Sequence, residues 1–389
     1  VIVAFGTYDA SRHPRVAVLV DGLRAHGYAV HELDRPLGLS TAQRVRMLRE
    51  PWHLGGLALR LLACWAGLVR DAWAHRRRHG APEAVLVGYL GHFDVVLARL
   101  LFPRTPVVLD HLVFAADTAA DRGVRGLRVR LLRGLDRLAT ACADVVVLDT
   151  AEHAAMLRAL APRRARRGVV VPVGASGAWE RAGEQAEHHL EAVTGPGDGG
   201  EVVAGPLRVV FFGLFTPLQG TRVLADALAD ALPRAAAAGR PIEVTLAGAG
   251  QDLPAVRDRL AGVAGLTWHD WVDAADLPAL VAAHDVCLGI FAATGKGTRV
   301  VPNKVFQGLA AGCVVLTSDT PPQRRLLGDH LELVPPGDAA ALADRLFALT
   351  DPEALAGARR RAAAGRARVR PGAVTEPLAT ALAARGVTP

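Results

Sequence analysis

The chain holds two lysines against 43 arginines, and both lysines fall in one glycine-bearing stretch, Gly295-Lys296-Gly-Thr-Arg299-Val-Val-Pro-Asn-Lys304-Val-Phe-Gln307. An ammonium is a compact point charge, whereas a guanidinium is a flat fork. A site that keeps ammonium groups in an arginine-dominated chain points to phosphate held as a point charge. The surroundings fit that chemistry. A strand candidate, Asp285–Phe291, runs into the stretch, and a helix is expected to start near Asn303 after Pro302. Asparagine is a good N-cap and the preceding proline fixes the entry. The first turn of such a helix exposes free amides and a partial positive charge, where phosphate binds. Lys296, Arg299 and Lys304 add full charges around that point and together suit a diphosphate leaving group. Gln307, one turn into the helix, is in reach of a ribose hydroxyl. The plain alternative is a strand, loop and helix with surface cations.

Polar residues also gather where first-half strands should end. Gly6-Thr7-Tyr-Asp9-Ala-Ser-Arg-His13 follows the first strand. Gly6 would let the chain turn close to a ligand. Asp9 and His13 read as acceptor-binding groups or as caps of the next helix. Tyr89-Leu-Gly-His92-Phe-Asp94 follows another strand. His92 is the first-half residue expected to touch a sugar or acceptor, and Asp94 is expected to cap the helix behind it. Asp110-His111 and Asp149-Thr150 end two more strands, each with a bland turn-residue reading. The cysteines, Cys64, Cys142, Cys287 and Cys313, have neither metal nor redox spacing and lie in apolar runs. Buried free thiols in a reducing cytoplasm are expected. No Asp-x-Asp motif suits a divalent ion, so no metal is expected.

These residues must be positioned by a series of short apolar runs alternating with helical patterns. First-half strands are expected at 1–5, 28–34, 84–89, 106–112, 144–150 and 168–173, with helices near 13–26, 41–49, 54–79, 92–102, 120–141 and 151–160. A Gly-rich, charged interval follows. A second series has strands at 207–213, 242–248, 266–272, 285–291, 313–319 and 331–335. Its helices fall near 220–232, 253–261, 275–284, 303–311, 321–328 and 338–349, and the tail from Pro352 is helical. Continuous apolar strands with helical crossovers imply an α/β fold with parallel sheets covered on both faces. The expected division is a domain at 1–175, a linker or flexible insertion at 176–206, a domain at 207–370, and a C-terminal helix at 371–389 that packs back on the first domain. Ligands of open α/β sheets bind beyond the carboxyl ends of the strands.

The net charge is +7, and residues 1–200 carry 26 Arg against 20 acidic residues, so the basic excess lies in the first half. An anionic lipid surface or an acidic acceptor suits that balance. At 5% aromatic residues without basic-aromatic interleaving, nucleic-acid stacking does not. No run of apolar residues is long enough to span a membrane, and because the sequence opens directly on a strand candidate no signal peptide is expected in it. The segment 44–79 combines Trp52, Trp65 and Trp73 with an apolar stretch and basic flanks, which suits a surface helix on anionic lipid or a core helix with solvated arginines.

One resemblance gathers these readings. Pro302-Asn-Lys-Val-Phe-Gln-Gly-Leu-Ala-Ala-Gly-Cys-Val-Val-Leu-Thr-Ser-Asp319 resembles the donor-site helix of glycosyltransferase family 4, a nucleotide-sugar family of GT-B fold. Phe212-Gly213-Leu-Phe-Thr216-Pro-Leu-Gln219-Gly220 is similar to that family's loop after the first strand of its second domain. Thr245-Leu-Ala-Gly248-Ala-Gly250 resembles the next nucleotide-side loop, and Asp285–Phe291 the strand before the donor loop. Ala143–Thr150 and Val171-Pro-Val-Gly174 match more loosely. The likeness covers essentially the whole chain, strongly over 207–335 and weakly over 1–143.

The resemblance implies GT-B architecture, two Rossmann-like domains with parallel sheets facing an interdomain cleft, the first for the acceptor and the second for the nucleotide sugar. Donor-binding positions are then Gly213, Thr216, Gln219, Gly248, Lys296, Gly297, Thr298, Val301, Pro302, Asn303 and Gln307. Lys304, Arg299 and His92 take catalytic positions, and Gly6, Thr7, Asp9, His13 and Asp110 acceptor positions. It also implies transfer with retention, without metal and without a cofactor. The substrate is a nucleotide-diphosphate sugar of UDP, GDP or dTDP type, and the acceptor a small molecule or a lipid-linked saccharide. The leaving phosphate would take the acceptor proton, so no strong protein base is needed. An inverting route would need one, and Asp9 and His13 are the groups available.

Two departures stand out. The family's pair of glutamates falls at Arg299 and Gln307, and its Arg and Lys of the first second-domain loop fall at Leu214 and Gln219. Lys296, Arg299 and Lys304 read as the charge rearranged. A GC-rich bacterial source fits the arginine bias, with a cytoplasmic protein or one peripheral to the inner membrane face. Two other readings stand beside this one. A nucleotide-sugar 2-epimerase would need the missing carboxylates. A catalytically inactive nucleotide-sugar-binding partner would tolerate their loss. A dinucleotide oxidoreductase fits less well, since neither first strand leads into Gly-x-Gly-x-x-Gly.

Overall fold

The computed structural model describes residues 1–9, 14–38, 54–121, 123–193 and 205–389. His13, the helix expected near 41–49, Trp52 and the Gly-rich run 194–200 lie outside the described residues. The chain divides into two units, Val1–Pro172 with Val374–Pro389, and Val173–Ala373.

The first unit alternates β1 (Ile2–Gly6), α1 (Pro14–Ala25), β2 (Val30–Asp34), α2 (Leu54–His79), β3 (Ala84–Val87), α3 (Asp94–Leu101), β4 (Val107–Asp110), α4 (Ala115–Asp121), α5 (Leu127–Cys142), β5 (Val145–Leu148), α6 (Ala151–Leu160) and β6 (Gly168–Val170). All six strands are parallel, in the order β2-β1-β3-β4-β5-β6. β1, β3, β4 and β5 are buried at every residue, which is why they read as unbroken apolar runs.

The second unit contains α7 (Gly177–Val193), β7 (Leu207–Phe212), α8 (Thr221–Ala237), β8 (Ile242–Ala247), α9 (Leu253–Arg259), β9 (Leu266–His269), α10 (Leu277–Ala282), β10 (Val286–Leu288), α11 (Asn303–Ala310), β11 (Val314–Ser318), α12 (Pro321–Leu327), β12 (Glu332–Val334), α13 (Ala339–Ala348) and α14 (Pro352–Gly365). Its sheet is also fully parallel, in the order β12-β11-β10-β7-β8-β9. A last helix, α15 (Pro371–Ala383), puts Leu378, Leu382 and the following Val387 into the core of the first unit beside Ile2, Leu19 and Val147.

Three expectations need adjustment. The single helix at 120–141 is two, because Gly123 and Gly126 take left-handed φ of 82° and 72° and end one helix before the next begins. The interval 176–206 opens with α7, whose Trp179 is buried and stacks on Phe212 with ring centroids 5.8 Å apart. Cys64 and Cys142 are half-buried, while Cys287 and Cys313 are fully buried, and all four are free thiols. No helix among the described residues is long and apolar enough to cross a membrane.

Candidate functional site

In each sheet the strand order reverses once, between β1 and β3 and between β7 and β10. The loops leaving those strands are where a parallel α/β sheet opens to a ligand. In the second unit they are the loop from Gly213 to Gly220 and the longer one from Gly289 to Pro302.

Backbones meet closely there. Gly248 has φ +135°, and a Cβ on it would lie 1.9 Å from the carbonyl oxygen of Gly213. Gly220, at φ +69°, faces the Phe291–Ala292 backbone at 2.5 Å in the same sense. The Phe291 amide donates to the Gln219 carbonyl at 3.0 Å. Only glycine lets these loops close on one another.

Lys304 lies at their junction. It is 5% exposed, and its Nζ sits 3.8 Å from the centroid of the Phe211 ring and 3.4 Å from where a Gly213 Cβ would be. Nζ has no hydrogen-bond partner among the described residues. Burial lowers its pKa from the ordinary lysine value to about 7, against a smaller opposing pull from Cys287. A cation on an aromatic face recovers on the order of 2 kcal/mol when desolvated, less than burial of an unpaired charge costs. The Oε1 of Gln219 is likewise buried without a partner. A buried donor and a buried acceptor left open beside converging loops are what a bound anion with a polar tail would satisfy.

The other expected donor residues hold the loop together. The Gly297 amide donates to Thr294 Oγ1 at 3.2 Å, and Thr298 Oγ1 donates to the Gly295 carbonyl at 3.2 Å. The Arg299 amide donates to the Lys296 carbonyl at 3.1 Å. Lys296, Thr298, Arg299, Thr216 and Gln307 are half-buried, and Val301 is buried. Asn303 does not cap α11. It is the first helical residue and exposed, while Pro302, with φ −70° and ψ 149°, occupies the N-cap without a side-chain bond. Proline has no acceptor side chain, so the first-turn amides keep no protein side-chain cap.

In the first unit, Thr7 donates its amide and its Oγ1 to Asp94 Oδ2 at 2.7 and 2.8 Å, and Trp65 Nε1 donates to Asp94 Oδ1 at 2.9 Å. Asp94 therefore fastens the β1 loop and α2 rather than capping α3, of which it is the first residue. Gly6 is buried against the same carboxylate, and Asp9 is half-buried. Asp110 is buried and accepts from Arg15 Nε at 3.2 Å, and Arg15 NH2 donates to the Val171 carbonyl at 2.9 Å. Burial raises the Asp110 pKa and the Arg15 charge opposes it.

His92 is buried with Nε2 3.1 Å from Asp136 Oδ1. Asp136 also accepts from the amides of Ala115 at 2.9 Å and Ala116 at 3.1 Å. Burial would raise its pKa, but the His92 bond and the two amides outweigh it and hold the carboxyl below its ordinary value. His111 is buried, and burial, with the nearby His92, lowers its pKa to about 3. Arg15 and Asp136 were not singled out from the sequence. Each left a faint signal: Arg15 opens an otherwise apolar run, and Asp136 is the one acid in the basic helix α5.

Residues 206–351 match the family model described as "Glycosyl transferases group 1". No curated protein matches the chain by sequence. Among solved structures, the chain is similar to Anabaena HepE in complex with UDP-glucose, at 14% identity, TM-score 0.63, covering 98% of each chain. It is similar to sucrose-phosphate synthase from Thermosynechococcus elongatus at 14% identity, TM-score 0.64, covering 99% of this chain and 98% of that one. An α,α-trehalose-phosphate synthase (UDP-forming) from Burkholderia vietnamiensis gives 16% identity, TM-score 0.64, over 99% and 98%. At such identities the likeness shows the fold, which is GT-B.

Proposed function

We propose that the chain, whose residues 206–351 match the group 1 glycosyltransferase model, uses a nucleotide sugar, binds its diphosphate at Lys304 and transfers the sugar with retention and without a metal ion. The observation that carries this reading is the buried Lys304 ammonium with no acceptor of its own. A diphosphate oxygen would supply that acceptor, restore the charge and gain from the low dielectric around it. When the sugar–phosphate bond breaks, negative charge grows on the leaving diphosphate. A cation and helix amides already in place stabilise that charge without reorganising. Lys296 and Arg299, on the loop before α11, are the further cations this role would use, with Gln219 and Gln307 for the nucleoside. The glutamates missing at 299 and 307 are not required for this charge stabilisation. His92 has its Nε2 on Asp136 and Asp110 is paired with Arg15, so the proposal leans on neither.

UDP is the first donor nucleotide to test, since HepE is solved with UDP-glucose. The test is release of nucleoside diphosphate from UDP-, GDP- and dTDP-sugars, with saccharide and lipid-linked acceptors. Turnover with one nucleotide class, cut about 100- to 1,000-fold in Lys304→Met, supports the reading. Unchanged turnover in that variant contradicts it.

A lipid-linked acceptor at the cytoplasmic membrane face is supported by α2. Leu59, Leu62, Val69 and Trp73 are exposed at helical spacing, with Arg70 and Arg76 to Arg78 beside them. Such a stripe rests on anionic lipid. Trp65, at the edge of this stripe, is half-buried with its Nε1 on Asp94. Leu62→Glu and Trp73→Glu should each weaken co-sedimentation with anionic vesicles, whereas a native chain that ignores vesicles removes the membrane contact from the account.

A further inference from the structure

We propose that His92, His111 and Asp136 of the first unit form a binding site for one divalent transition-metal ion of the zinc class. Each offers one ligand atom, and the three atoms all lie within 4.8 Å of one another. His92 Nε2 and His111 Nε2 stand 3.1 and 3.9 Å from Asp136 Oδ1. Zinc bonds of about 2.0–2.2 Å in a tetrahedron put neighbouring ligands about 3.3 Å apart, between those two spacings.

The second observation is His111 itself. Its side chain is fully buried, and neither ring nitrogen has a hydrogen-bond partner among the described residues. Leaving a buried donor or acceptor unmet costs about 1–3 kcal/mol, so a native group in that state calls for a partner. Asp136 meanwhile is oriented by the Ala115 and Ala116 amides, the outer bonding that fixes a ligating carboxylate. Two imidazoles and one carboxylate suit zinc, cobalt or ferrous iron, not magnesium or calcium, which take oxygen ligands. Coordination needs the lone pair on His92 Nε2, so in the bound state the neutral ring would carry its proton on Nδ1. Three protein ligands leave a fourth position open. The ligands come from the loop before α3, the residue after β4, and α5, so the ion would also tie these elements together.

A second histidine cluster makes the test discriminating. His31, His75 and His79 have ring centroids 4.8 to 5.1 Å apart, and His31 Nδ1 lies 2.9 Å from His75 Nε2. The full chain, stripped with chelator, is titrated with zinc chloride and with cobalt(II) chloride. The proposal expects one equivalent bound, weakened at least about 100-fold in His111→Asn and kept in His75→Asn. On the unmodified chain, cobalt should give the visible band of a four-coordinate ion and broaden the ring signals of His92 and His111, a readout that does not depend on a variant folding. Binding lost in His75→Asn but kept in His111→Asn overturns the proposal. So does a folded native chain that takes up neither metal.

Discussion

Lys304 shows what one buried charge does to a whole molecule. Its pKa is about 7 folded against the ordinary 10.5, with burial as the main cause. Between those values the unfolded chain holds a proton that the folded chain lacks, so stability rises with pH across that window and is flat on either side. Removing the ammonium removes the penalty. Lys304→Met should therefore be more stable than the native chain near pH 7, and the difference should shrink towards the upper end of the window in denaturant titrations at several pH values. A difference that does not vary with pH would show that the ammonium is not desolvated. That Lys304 is a special position was legible in the sequence, from two lysines kept among 43 arginines. Its burial was not, because the Phe211 ring beneath it comes from a strand 93 residues earlier. The same holds for Arg15 and Asp110, paired across 95 residues. Asn303 misled for a local reason: the proline expected to precede the cap occupies the cap itself.

The strands were the most legible elements, since a strand buried on both faces is a bare apolar run with little else it can be. Helix limits were less so. Gly123 and Gly126 break one expected helix, and no periodicity announces that a glycine will adopt positive φ. Within α11 another glycine sets the spacing of helix and sheet. A Cβ at Gly308 would meet Cys287 Cβ and Sγ at 2.8 Å and Val315 at 2.9 Å. Gly308→Ala should cost roughly 1–3 kcal/mol in denaturant unfolding through overpacking. It should also weaken nucleotide binding, because α11 carries Lys304 one turn earlier. Full stability in this variant would mean that the helix and β10 are not in the close contact described.

At the scale of the molecule, two α/β series were readable from the alternation of runs. A C-terminal helix packing back on the first domain was expected, but which of its residues enter that core is not written in any local pattern, because an Ala-rich helix with a few leucines suits many surfaces. Leu378 and Leu382 are fully buried there. Leu382→Ala should cost about 2–5 kcal/mol. Calorimetry should show the first unit melting earlier and the second unchanged, whereas a shift confined to the second would contradict the assignment of the tail. The exposed stripe of α2 lies within the first 200 residues, where the basic excess falls, and the anion site proposed at Lys304 lies in the near-neutral remainder. That site is the central claim. The most direct measurement is calorimetric titration of UDP, GDP, dTDP and ADP into the native chain and into Lys304→Met. The account predicts that one diphosphate binds the native chain selectively and that the variant loses it. Equal binding by both proteins, or no binding of any of the four to the native chain, would contradict it.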